Sequence, residues 1–166
     1  MARAVVKGAI SPGRGERRAR TAGDRWLDGF IPYRLYRATR KLGARLHTRL
    51  RALRISPSQW RVLSVLKAFG DLSIGEIVEA TLMEQPTISR VVARLERDGR
   101  VKRRLSSRDS RMALISLTAS GVEAFKQIIP AALRHQDEAL QGVGRKEIAR
   151  LVATLEKIER NIESHD

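Results

Sequence analysis

QPTISRVVARLERDGRVKRRL, Gln85 to Leu105, is the stretch on which the fold turns. Up to Gly99 its apolar residues Ile88, Val91, Val92 and Leu95 recur at helical spacing. Pro86 opens that helix and Gly99 stops it. Beyond Gly99 the period falls to two. Val101, Arg103 and Leu105 alternate with Lys102 and Arg104, and further on Ala113, Ile115 and Leu117 alternate with Leu114 and Ser116, which predicts two strands. Ser106 to Met112 is too long for a two-residue turn, so the connection should project as a wing.

Upstream, SIGE (Ser73–Glu76) has the spacing of a capping box and opens a short helix to about Ala80. The period breaks between Leu82 and Gln85. Two short helices about a tight turn make a helix-turn-helix over about 73–98, followed by the wing over about 101–117. SPSQ (Ser56–Gln59) is a second capping box with Pro57 in the first helical position, and Trp60, Leu63, Val65 and Leu66 carry that helix to Gly70. A longer helix is predicted from Trp26 or Phe30 to Leu53, because Ile31, Leu35, Leu42, Leu46, Leu50 and Leu53 form one stripe. Downstream, Thr118 can cap a helix that Pro130 should kink. A last helix from near Gly144 carries Ile148, Leu151, Val152, Leu155, Ile158 and Ile162 on one face. Such a stripe is long for a chain-terminal helix and points to a subunit interface. The expected fold is therefore mainly α with a small β-wing: a winged helix-turn-helix domain over 26–166, flanked by dimerisation helices at about 30–53 and 119–163.

Charge is segregated along the 166 residues, whose formal net charge is +15. Phe30–Gly70 carries ten Lys/Arg and no acid, whereas Ala119 onward is near neutral, with seven basic and eight acidic residues. That distribution favours an anionic partner, and nucleic acid is the common one. Residues 1–25, with clustered Arg, Gly and Pro and no sustained period, are expected to be a flexible basic arm. Cysteine is absent, which excludes disulfides and thiolate chemistry. His47, His135 and His165 lie far apart, and no Gly-rich phosphate loop occurs, so neither an enzyme nor a metal or other cofactor is expected. With no apolar run of membrane-spanning length, a cytoplasmic protein without a membrane partner is the expectation.

The order of elements resembles the MarR/SlyA family of winged-helix transcriptional regulators, over Phe30 to Ile162. RDSRMALISLT (Arg108–Thr118) is similar to the family's wing signature, and QPTISRVVARLERDGRVKR (Gln85–Arg103) to its recognition helix and first wing strand. The resemblance implies a homodimer on a pseudopalindromic operator in double-stranded DNA. Gln85, Pro86, Thr87, Ser89, Arg90 and Arg94 remain once the core positions of the helix are assigned. They gather where a helix-turn-helix presents side chains to the major groove. Arg suits guanine and Gln adenine, whereas Thr87 and Ser89 suit phosphate.

Arg108, Asp109 and Arg111 belong to the wing. An acid between two arginines suits no simple charge patch. Asp109 can instead hold the Arg111 guanidinium in a fork before it enters the minor groove, the relation the resemblance implies; an Asx turn is the alternative. The resemblance further implies a repressor released by a small anionic aromatic ligand, a phenolic acid or an aryl-coenzyme A thioester. Tyr36, Arg40, Arg45, His47 and Trp60 are the candidate residues for it. The alternative function is a non-specific, basic architectural DNA-binding protein without a ligand.

Overall fold

The side chains of Ser56, Ser73 and Thr118 cap the starts of three helices in the computed structural model, which describes residues 26–105 and 113–164. The basic arm and the wing tip, with Arg108, Asp109 and Arg111, lie outside the described residues. The chain divides into two units, Met1–Ala38 and Thr39–Asp166.

In the first unit α1 (Trp26–Gly29) is a separate short helix and α2 (Ile31–Ala52) starts after a break at Phe30, the later of the two expected starts. Pro32 explains the break. It has no N–H to give the carbonyl four residues back, Asp28, and its ring would clash there. That carbonyl accepts from Arg34 Nε instead (2.6 Å). The Trp26 and Phe30 rings meet at 5.4 Å, and Arg37 lies 5.5 Å from the Tyr33 ring centroid.

The second unit contains the rest of α2, then α3 (Pro57–Phe69), β1 (Leu72–Ser73), α4 (Ile74–Thr81), α5 (Gln85–Arg97), β2 (Val101–Leu105), β3 (Ala113–Leu117), α6 (Ala119–Ala139) and α7 (Arg145–Glu163). Both capping boxes form. Gln59 N donates to Ser56 Oγ (3.1 Å) and Ser56 N to Gln59 Oε1 (2.9 Å); Glu76 N donates to Ser73 Oγ (3.2 Å) and Ser73 N to Glu76 Oε2 (2.7 Å). Thr118 Oγ1 accepts from Gly121 N (3.0 Å) and starts α6. α6 continues past Pro130, where the sequence predicts a kink; Pro130 is exposed, so water can take up the carbonyl it leaves unbonded.

Two helices end in Schellman motifs, which satisfy their last carbonyls. After α5, Gly99 (φ +67°) donates to Glu96 O and Arg100 to Leu95 O. After α2, Arg54 stands in the same left-handed position (φ +54°). Arg54 N bonds Arg51 O, and Ile55 N bonds Leu50 O. Leu50 and Ile55, which flank this turn, are both buried in the core.

The sheet is antiparallel in the order β1-β3-β2, with Val101 opposite Leu117 and Leu72 opposite Ile115. Val62, Leu63 and Leu66 of α3, Ile77 of α4, Ile88, Val92 and Leu95 of α5, Val101, Ile115 and Ile128 of α6 close one core with Leu50 and Ile55. The strand alternation holds at Val101 but fades outward, and Leu105 is 68% exposed. On α2, Leu50 is buried and Leu46 and Leu53 half-buried, whereas Ile31, Leu35 and Leu42 are exposed. No residue of α7 is buried.

Candidate nucleic-acid interface

α4 and α5 pack on α3 by their apolar faces and leave one face of α5 to solvent. Ile88, Val92 and Leu95 are buried, with Val91 half-buried beside them. Gln85, Pro86, Arg90 and Arg94 are exposed, and Thr87 and Ser89 are half-buried. The six recognition-helix candidates thus share the N-terminal two-thirds of a helix whose C-terminal end is locked to the wing. Arg90 is held in place: its Nε donates to the Pro86 carbonyl (3.1 Å). The two terminal amino groups of its guanidinium stay available for a bidentate contact, the geometry that guanine offers.

The wing strands are tied to this helix. Arg103 Nε pairs with Glu96 Oε2 of α5 (3.1 Å), and Arg104 pairs with Asp71 beside β1. The basic residues of β2 therefore divide: Arg103 and Arg104 position the wing, and Lys102 stays at the exposed surface. Gly121 fixes the other side. A Cβ there would lie 2.0 Å from the Arg100 carbonyl oxygen, so only glycine lets α6 approach the start of β2 so closely. Thr118 completes the joint, its hydroxyl donating to Gly99 O (2.7 Å) and its N–H to Arg100 O (3.0 Å).

Within the second unit, the cleft that His47 lines includes none of the other candidates Arg40, Arg45 and Trp60. Trp60 stacks on Phe125 at 5.4 Å and packs against the core. Arg40 and Arg45 are exposed on α2, and Tyr36, in the first unit, is 61% exposed. His47 lines a cleft of about 420 Å³ with Arg51, Arg54, Ser56, Gln59 and Arg94. A second cleft, of about 440 Å³, lies between α2, α3 and α6 and includes Leu42, Leu46, Arg61, Ala132, His135 and Leu140. His135 is 6% exposed, and neither imidazole nitrogen has a hydrogen-bond partner among the described residues. Sequence reasoning missed it, although it lies seven residues after Ile128 on the buried stripe of α6. Across the same helices Arg49 Nη2 holds Glu138 Oε2 at 2.5 Å, and that hydrogen bond keeps the Glu138 carboxyl below its ordinary value of 4.5. Among the described residues no group of three His, Asp or Glu could hold a metal ion.

A three-stranded wing beside an exposed, arginine-bearing second helix defines a winged helix-turn-helix DNA-binding protein. Its relatives agree. A family model described as MarR family matches residues 55–112. A transcriptional regulator of that family from Silicibacter pomeroyi is 30% identical, with TM-score 0.77, over 86% of this chain and 97% of its own. The HTH-type transcriptional repressor IacR of Pseudomonas putida is 26% identical over 166 residues, 99% of each chain. Bordetella bronchiseptica BpsR, a protein whose DNA binding is regulated by 6-hydroxynicotinic acid, shares the fold at TM-score 0.70 and 24% identity, over 78% of this chain and 98% of its own. The chain belongs to the MarR family and is a DNA-binding transcriptional regulator.

Proposed function

We propose that the protein is a homodimeric repressor that grips a pseudopalindromic operator and releases it when a small aromatic acid enters the cleft beside His135. The observation that carries this reading is His135 itself. A buried imidazole with two unpartnered nitrogens costs about 1–3 kcal/mol per unmet group. On the wall of a largely apolar cleft it is a ready partner for a carboxylate or phenol. The volume, about 440 Å³, is in the range of small-molecule sites. Arg61 is the one cation in its lining, which suits a carboxylate better than the several phosphates of a coenzyme A thioester. 6-Hydroxynicotinic acid is the effector of BpsR, and for this chain the support is the cleft. A ligand wedged between α2 and α6 on one side and α3 on the other would favour a dimer whose recognition helices no longer match major grooves about 34 Å apart.

The test is a thermal-shift screen of aromatic acids, followed by operator release. A bound acid should raise the melting temperature of the wild type and lower operator affinity. His135→Leu should abolish both responses while keeping the fold, because an apolar side chain fits that wall. A normal response from His135→Leu would remove the cleft from the reading.

A further inference from the structure

The cleft that includes His47 differs from the His135 cleft in its chemistry. Three guanidiniums, Arg51, Arg54 and Arg94, and one imidazole face it, and among the described residues no carboxylate does. Gln59 supplies a fixed donor. It is 3% exposed, and its Oε1 is already occupied by the Ser56 N–H (2.9 Å). The capping box therefore determines which way round the amide lies and leaves Nε2 as the buried group without a partner. The cleft also sits at the N-terminus of α3, where the helix dipole favours negative charge. Forked, permanently charged donors and a pre-oriented amide N–H match a group with several acceptor oxygens and more than one negative charge.

We infer that this cleft binds a phosphate group and that Arg94, on the recognition helix, is shared between it and the DNA surface. The phosphate has two possible sources, the operator backbone and a free phosphorylated small molecule. In the second case the ligand draws Arg94 away from DNA and acts as a direct competitor. The inference uses none of the residues of the His135 cleft, so the two stand or fall separately.

Inorganic pyrophosphate is the probe, added to the full-length protein at constant ionic strength held with potassium chloride. The readout is the side-chain amide signal of Gln59 in a ¹H–¹⁵N spectrum, identified by its loss in Gln59→Glu. Pyrophosphate should shift that signal saturably. Gln59→Glu, which preserves the capping box, should fold normally yet bind pyrophosphate about ten-fold or more weakly, as should Arg51→Ala combined with Arg54→Ala. In parallel, a duplex is titrated and then challenged with pyrophosphate. A duplex that moves the signal and is displaced by pyrophosphate supports the shared Arg94. A shift by the duplex alone assigns the phosphate to DNA. Pyrophosphate binding that leaves duplex affinity intact overturns the sharing. Equal shifts from chloride, or none from either titrant, overturn the site.

Discussion

Arg54 occupies the position after a helix where glycine is usual. A non-glycine residue there costs roughly 1 kcal/mol, because its Cβ crowds the following carbonyl. Arg54→Gly should therefore raise the unfolding free energy by about that amount in denaturant titration. Its pyrophosphate affinity should fall at the same time, a stability gain bought with a lost cation. Unchanged stability would mean that Arg54 packs in a way that offsets the strain. Asp109 poses a sharper question of sign. If the wing is a charge patch, Asp109→Ala removes an exposed repulsion, worth below about 1 kcal/mol in salt, and tightens binding. If Asp109 readies Arg111, the freed side chain must be ordered at each encounter, at roughly 1–2 kcal/mol, and operator binding weakens. The double mutant should then be little worse than Arg111→Ala alone. Tighter binding by Asp109→Ala, measured by fluorescence anisotropy, would sink the clamp.

The elements depend on a few joints. Gly121→Ala would push a methyl against the Arg100 carbonyl, which β2 and Thr118 hold in place, so a loss of about 3 kcal/mol is expected in denaturant titration. A loss below 1 kcal/mol would show that α6 can slide away. The capping box of α4 gives a pH signature. The Ser73 backbone N–H, and then its side chain, hold the Glu76 carboxyl below 4.5. A depressed acid contributes stability that is complete above its unfolded value and lost as pH falls through the folded one. Glu138, held down by Arg49, adds in the same direction. The melting temperature of the wild type should fall below pH 4.5. Ser73→Ala should cost about 1 kcal/mol at neutral pH, with a shallower acid limb. Glu76→Gln, which removes the ionisable group, should flatten the limb further, and a limb as steep there as the wild type's would remove Glu76 from the account.

These joints were legible in unequal measure. Ser56, Ser73 and Thr118 announce their helices because a cap is written in adjacent residues. β1 left no trace, since two residues have no period, and its pairing with β3 is decided across more than forty residues. The sequence leaves the start of α2 open between Trp26 and Phe30, because an apolar stripe alone does not weigh Pro32. The recognition face could be read by subtraction from the core stripe, but the division of arginines between DNA and ion pairs could not. Glu96 meets Arg103 only once the wing folds back. Likewise, the aromatic and cationic residues of α2 suggested one ligand pocket, whereas helix packing puts His47 and His135 on two separate clefts.

At the scale of the whole molecule, the exposed apolar stripes on α2 and α7 are the features that a single chain does not satisfy. Ile148, Leu155 and Ile158 are half-buried and Leu151, Val152 and Ile162 exposed, although all six share one face. We propose that a second copy covers them, because a closed dimer would bury both stripes at once and set two recognition helices on one duplex. Dimerisation then carries specificity by linkage. The second half-site binds at an effective concentration set by the first, which is worth roughly 10² to 10⁴ in affinity without any new contact. Leu155→Asp combined with Ile158→Asp places two charges in that interface, each costing several kcal/mol if desolvated. The variant should sediment as a folded monomer at micromolar concentration, since its winged core does not use α7. It should keep its salt-dependent grip on random DNA, which depends on charge, but bind the operator at least about 100-fold more weakly than wild type. Loss of both activities together would mean that α7 supports the fold. A dimer that survives both aspartates would place the subunit interface elsewhere.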